Sequence, residues 1–247
     1  MQPDVADRLR RINREFYQSF AAPFAATRRR LQPGAAALLE RLPRQASIID
    51  LGCGSGEVAR ALRRRGHQGA YLGLDECAPL LEQARTAGLP QAEFAAADLA
   101  DPAWTALARP PCDWAVAFSV LHHLPGPTRP GFLAGVRSVL APEGFFAFSV
   151  WQFQHSERLT RRIVPWASVG LDPSQVDAGD HLIDWRHGGR GLRYVHAFDS
   201  AELEALARQT GFHWVERFES DGRGGRLGLY AVWSPDGGFE GALGRQL

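Results

Sequence analysis

Five short apolar runs alternate with helix-patterned stretches between residues 47 and 151, and this alternation constrains the chain more than any other feature in it. The runs are Ser47–Leu51, Tyr71–Leu74, Phe94–Ala97, Trp114–Val120 and Phe145–Trp151. Helical patterns fill the gaps at Glu57–Arg65, Pro79–Thr86, Pro102–Leu107 and Gly131–Leu140, the last with Phe132, Leu133, Val136, Val139 and Leu140 at helix spacing. Strands that alternate with helices connect by right-handed crossovers, which builds a parallel sheet covered on both faces.

The end of the chain breaks this rhythm. Asp199 and Glu202 have capping-box spacing ahead of a helix that runs to Thr210, and Gly211 supplies its C-terminal cap. Phe212–Phe218 and Leu227–Trp233 are then joined by a turn-rich link too short for a crossover helix, so they pair as a hairpin. The expected fold is α/β and Rossmann-like: a seven-stranded, mostly parallel sheet, one strand antiparallel from the C-terminal hairpin, helices on both faces.

A chain of 247 residues suits one domain of this kind. Residues 1–44 read as an N-terminal helical cap, because Val5, Leu9, Ile12 and Phe16 form one apolar stripe opposite Arg8, Arg10, Arg11 and Arg14. Residues 152–198, rich in Arg, aromatics and turn signals, read as an insertion over the sheet edge, where specificity resides.

Charge excludes some functions. The 28 cations, all Arg, nearly cancel the 27 acids, so no global field holds the protein on nucleic acid or anionic lipid. The basic part is residues 1–65, with thirteen Arg against six acids. Cys53, Cys77 and Cys112 form no CxxC pair, so free thiols are expected, and no metal site. No apolar run approaches the roughly 20 residues of a bilayer span, and the start lacks a signal-type apolar region, so a cytoplasmic protein away from membranes is expected.

The first strand runs into Asp50-Leu-Gly52-Cys53-Gly54-Ser-Gly56-Glu57 at the start of a helix. Three glycines allow a tight path and close approach of a ligand. A pyrophosphate fingerprint needs glycine where Glu57 stands, and a carboxylate there opposes a phosphate. A cationic cofactor fits better. S-adenosylmethionine carries a sulfonium and an amino group compatible with Asp50 and Glu57. Nineteen residues past Gly56, Asp75 ends the second strand, where a carboxylate accepts ribose hydroxyls; Asp98 follows the third strand, placed for the adenine amino group, with the Leu99 amide facing the ring.

This pattern resembles the class I S-adenosylmethionine-dependent methyltransferases. The resemblance implies that Asp50, Gly52, Gly54 and Gly56 line the methionine end, Asp75 the ribose, and Asp98 with Leu99 the adenine; Tyr17, Cys53, Glu76 and Phe118 complete the expected cofactor set. Four further segments bear on the acceptor: Tyr17, Phe24, Thr27 and Arg28 near the start; Leu121-His122-His123 after the fourth strand; Val150-Trp151 after the fifth; and Arg193-Tyr194-Val-His196 late in the insertion. Together they resemble the tRNA wobble-uridine carboxymethyl methyltransferases, including the methyltransferase domain of the AlkB-like tRNA enzyme. That implies a carboxylate acceptor on tRNA, with an activating partner protein allowed; a small-molecule acceptor is the alternative, and a non-catalytic partner subunit of the same fold is a further one.

A carboxylate is ionised at neutral pH and needs orientation rather than a base, for which Arg28 and Arg193 are the candidates. A phenol, hydroxyl or amine would call on His122, His123 or His196. Trp151 and Tyr194 are the expected substrate platform. Arg28 adjoins Arg29 and Arg30, and such a triplet also reads as a solvated face.

Overall fold

The computed structural model describes residues 1–28 and 30–235, so Arg29 lies outside the described residues. Helices α1 (Pro3–Thr27) and α2 (Pro33–Leu39) lead into β1 (Ile48–Leu51), α3 (Glu57–Arg64), β2 (Tyr71–Asp75), α4 (Ala78–Arg85), β3 (Ala92–Ala96), β4 (Cys112–Phe118), α5 (Arg129–Val139) and β5 (Leu140–Trp151). There follow α6 (Glu157–Thr160), β6 (Ile163–Val164), β7 (Asp180–Trp185), β8 (Gly191–His196), α7 (Ser200–Thr210), β9 (His213–Ser220) and β10 (Gly228–Ser234).

The main sheet has seven strands in the order β3-β2-β1-β4-β5-β10-β9, and β10 alone runs antiparallel to its neighbours. The expected α/β fold with one reversed strand is therefore present, with strand ends displaced by one to a few residues. Side chains alternate between its faces with period two. Ile49, Leu51, Ala115 and Ala117 face α5 and α7 in a core with Phe146, Phe148 and Trp233. Ile48, Trp114 and Val116 face the opposite way, onto Leu38 and Leu39 of α2 and Leu62 of α3. Pro102–Leu107 forms a 3₁₀ helix rather than an α-helix: Asp101 accepts from the Ala103 amide and Trp104 is buried.

The segment read as an insertion folds into structure that the aromatic-rich sequence did not announce. Strands β6, β7 and β8 form a separate antiparallel sheet. Helix α1 lays Val5 and Leu9 on it, against Leu171, Leu182 and Tyr194. Near Phe20 the helix loses regular geometry, three residues before Pro23, whose ring and missing N–H disturb the preceding turn.

A buried polar cluster ties the small sheet to the main domain. Asp180 Oδ1 accepts from the Tyr194 hydroxyl at 2.7 Å and from His196 Nδ1 at 2.6 Å. His196 Nε2 donates to Glu202 at 2.8 Å, and Arg129 reaches the same carboxylate at 2.8 Å while stacking over Phe198. Burial alone would lower the His196 pKa; the hydrogen bonds to Asp180 and Glu202 reverse this and raise it, so the ring is held as the imidazolium. The expected outcome follows from linkage. A raised folded-state pKa gives stability that is complete below the unfolded value of about 6.5 and is lost as pH rises through the folded value. Urea midpoints should therefore fall as the pH rises above about 6.5, and His196→Gln should flatten that slope while costing about 2 kcal/mol at pH 6.

Candidate functional site

The glycine loop is pinned before any ligand arrives. Gly52 and Cys53 amides both bond to the Leu74 carbonyl, at 2.7 and 2.9 Å. Gly52 has φ +77°, and a Cβ there would sit 2.4 Å from Val120; Gly56 has φ +87°, and its Cβ would meet the Ala84 backbone at 2.9 Å. Only glycine satisfies both the left-handed conformation and the close packing. Gly54 differs: a Cβ there would meet nothing within 4 Å, so the loop turns an open face to the cavity.

That cavity, about 290 Å³, lies at the C-terminal edge of the main sheet, roofed by α1 and by the strap that follows it. At one end are the carboxylates. Tyr71 donates to Asp50 at 2.5 Å, and burial lifts the Asp50 pKa to about 7. Asp75 accepts from the Gly54 and Cys77 amides, both at 2.8 Å, and burial raises its pKa too. Asp98 accepts from the Ala100 amide at 2.9 Å and pairs with Arg10 and Arg14; Arg14 also pairs with Glu76. Burial raises the Cys53 thiol well above its ordinary range, which leaves it an inert filler beside the loop.

At the other end are histidines and arginines. His122 Nδ1 accepts from the Trp151 amide at 3.2 Å, which puts its proton on Nε2. Burial lowers its pKa well below the ordinary value. His123 donates from Nδ1 to the Tyr194 carbonyl at 2.9 Å and accepts at Nε2 from the Tyr17 hydroxyl at 2.8 Å; burial lowers its pKa to about 3. Both rings are therefore neutral, and both nitrogens of His123 are committed.

Arg193 is 5% exposed, and its guanidinium lies over three rings, Phe16, Trp151 and Trp185, at 5.1 to 5.2 Å. Its Nε has no hydrogen-bond partner and, among the described residues, it joins no ion pair. Arg28 stands over Phe24 at 5.3 Å on the same cavity.

Of the residues singled out from the sequence, Tyr17, Arg28, Asp50, Gly52, Cys53, Gly54, Asp75, Glu76, Asp98, Leu99, Phe118, His122, His123, Trp151 and Arg193 line this cavity. Gly56, Tyr194 and His196 do not. Gly56 caps α3, and Tyr194 and His196 turn into the Asp180 cluster, so neither ring faces the cavity. Sequence reasoning missed Asn13 and the pairing of Arg10 and Arg14 with Asp98 and Glu76: it placed the two arginines on the face of the helix opposite its apolar stripe and gave them no partner. It also missed Tyr230, which donates to Asp221 at 2.6 Å on the cavity's far wall.

The profile of a family described as a methyltransferase domain matches residues 24–217. A trans-aconitate 2-methyltransferase of Methylobacterium radiotolerans is 36% identical over 147 residues, which is 57% of this chain and 54% of that protein. The chain thus spans about half the length of the trans-aconitate methyltransferases it matches. A malonyl-[acyl-carrier protein] O-methyltransferase of Magnetococcus marinus is 27% identical over 181 residues, 70% of this chain and 64% of that protein. Among solved structures, a DhpI complex with SAM and HEP superposes with a TM-score of 0.65 at 26% identity over 90% of this chain and 95% of that one. A complex of the Haloferax volcanii Trm112 methyltransferase activator with its methyltransferase gives 0.65 at 19% identity, over 90% and 96%, a likeness of fold alone.

One residue fixes the geometry of the histidine and arginine end. Asn13 Oδ1 accepts from the Tyr194 amide at 2.8 Å, and its Nδ2 donates to the Tyr194 and His123 carbonyls at 3.1 and 3.3 Å. Asn13→Ala strands these buried backbone groups, and a loss of about 2–3 kcal/mol is expected in urea unfolding; a change below about 0.5 kcal/mol would mean that α1 docks by its apolar stripe alone.

Proposed function

The chain belongs to the methyltransferase-domain family and carries the class I fold of S-adenosylmethionine-dependent methyltransferases; we propose that it methylates a carboxylate oxygen of a small organic acid. The cavity fits the cofactor. The open face at Gly54 admits its methionine end, where Asp50 meets a cationic amino group. Asp75 keeps lone pairs beyond its two amide bonds for the ribose hydroxyls, and Asp98 with Leu99 would hold the adenine. When bound, S-adenosylmethionine supplies an electrophilic methyl group on sulfur.

The observation that carries the acceptor assignment is the guanidinium of Arg193, buried among three aromatic faces without an anion. A buried, unpaired charge is costly, and the site is completed electrostatically by an anionic ligand. The histidines agree. Neither is a base at neutral pH: His122 offers an N–H, and His123 is fully bonded. An ionised carboxylate needs no base, only a positioned oxygen. Two relatives are enzymes whose names specify methylation of trans-aconitate and of malonyl-[acyl-carrier protein], both acids.

The second reading is the carboxymethyl group of a tRNA uridine, the same functional group on a macromolecule. It draws on the Leu121-His122-His123 and Arg193-Tyr194-Val-His196 segments and on the basic excess of residues 1–65. The nearly balanced total charge favours the small acid.

Three outcomes test these assignments. With methyl-labelled cofactor, a small-molecule acid fraction and total tRNA offered separately, the label should enter the small acids and be released by mild alkali, as methyl esters are. Alkali-labile label in tRNA selects the second reading, and alkali-stable label overturns carboxylate methylation. A cofactor-binding protein that labels nothing would point to an activating partner, as in the Haloferax volcanii complex. Asp75→Ala should weaken S-adenosylhomocysteine binding by about 100-fold in calorimetry, from two lost charge-assisted hydrogen bonds. At saturating cofactor the rate should lack the rise between pH 6 and 8 that a histidine base imposes, because burial keeps both rings neutral there.

A further inference from the structure

We infer that Asp50 holds a proton in the free protein and releases it when the amino group of S-adenosylmethionine, or of its demethylated product, binds beside it; this rests on the cofactor assignment above. The starting point is a local excess of acid. Asp50, Cys53 and Asp75 all line the cavity around the glycine loop, and Asp50 is 2% exposed. Among the described residues neither Asp50 nor Asp75 joins an ion pair.

The surrounding elements leave that excess in place. Strand β2 contributes the Tyr71 hydroxyl and Asp75 itself, and the loop contributes the Cys53 thiol. Helix α3 brings Glu57, which is paired with Arg60, and α4 brings Arg85, whose charge reaches Cys53. Helix α1 presents Tyr17, which feels the Asp75 charge. Val116 of β4 lies beside Asp50, and the turn beyond that strand carries His122, a neutral ring. Helix α2, Pro33–Leu39, has no titratable side chain. Two buried carboxylates that feel one another's charge, with no cation paired to either, resist being ionised together.

Hydrogen bonds decide which of the two keeps the proton. Asp75 accepts an amide on each oxygen, from Gly54 and Cys77, and amide donors favour the charged form. Asp50 has the Tyr71 hydroxyl instead. A phenol, unlike an amide, can also accept, so a protonated Asp50 keeps its partner. Burial lifts the Asp50 pKa to about 7, with the Tyr71 hydroxyl drawing it down and the Asp75 charge raising it.

The ligand supplies the missing cation. The open face at Gly54 admits the methionine end, and an ammonium beside Asp50 favours the carboxylate. The carboxyl O–H bond breaks, its electron pair stays on oxygen, the proton passes to the buffer, and the ammonium keeps its own N–H bonds. The sulfonium takes no part in this exchange. The demethylated product carries the same amino group and expels the same proton.

Calorimetry counts that proton. S-adenosylhomocysteine is titrated into the native protein in phosphate and in imidazole, buffers of low and high ionisation enthalpy. At about pH 6 the enthalpy difference should correspond to nearly one proton released, falling to about a tenth of one by about pH 8, and affinity should rise about tenfold over that interval. Methylthioadenosine, which lacks the amino-acid end, should bind without proton loss. Asp50→Asn should abolish the release and flatten the affinity profile. Tyr71→Phe removes a donor that favours the carboxylate and should move the rise to higher pH. Equal enthalpies in the two buffers, an unmoved profile in Tyr71→Phe, or release that persists in Asp50→Asn or with methylthioadenosine would overturn the inference and leave the cofactor site standing. Absence of S-adenosylhomocysteine binding in either buffer would overturn the cofactor assignment itself.

Discussion

The histidine and arginine end of the cavity depends on one side-chain amide. Asn13 bonds to both the N–H and the C=O of Tyr194 and so behaves as an extra strand residue along the outer edge of β8, the last strand of the small sheet. Its third hydrogen bond, to the His123 carbonyl, brings in the turn after β4. One helical turn further, Tyr17 donates to His123 Nε2. Helix α1, the small sheet and the main sheet therefore meet at a single buried junction. Successive strand residues point to opposite sides: Tyr194 enters the Asp180 cluster, and its neighbour Arg193 turns to the cavity. The position of that guanidinium is thus inherited from two polar networks on either side of β8.

Burial decides the protonation of everything around it. His122, His123 and His196 stand within the same quarter of the molecule, yet they settle differently. Where two carboxylates meet both ring nitrogens, as at His196, the charge survives burial. Where the partners are an amide N–H, a carbonyl and a phenol, as at His122 and His123, burial prevails and the rings stay neutral. A chamber with neutral histidines and a buried guanidinium is suited to holding an anion, and poorly suited to removing a proton.

Much of this was legible in the chain. The seven-stranded sheet, its reversed strand, the glycine loop and the carboxylates Asp50, Asp75 and Asp98 all follow from periodicity and local turn chemistry, which are properties of short segments. The small sheet was not, because β7 and β8 carry Arg, His and Trp among their apolar residues and bury both kinds; Tyr194 and Arg193 look equally suited to a platform until the register assigns them to opposite faces. His196 reads as a base by its place in a motif and becomes structural only through Asp180, sixteen residues away, and Glu202 on the next helix. Asn13 gave no signal at all, since a polar residue on an amphipathic helix is ordinary until its partner, far along the chain, is known.

The two ends of the cavity treat charge in opposite ways, and the difference bears on how α1 works as a roof. At the carboxylate end, Arg10 and Arg14 neutralise Asp98 and Glu76 through ion pairs that are partly exposed. Pairs of this kind contribute roughly 0–1 kcal/mol each and exchange readily with other partners. They cannot be what holds the helix down. That role falls to the stripe of Val5, Leu9 and Phe16 and to the buried amide of Asn13. A cofactor bringing hydroxyl and amino donors to Asp98 and its neighbours would therefore displace weak contacts and leave the helix anchored along its other face. At the opposite end Arg193 meets no carboxylate among the described residues, so its charge is balanced there by aromatic faces and by Tyr17 rather than by an ion pair.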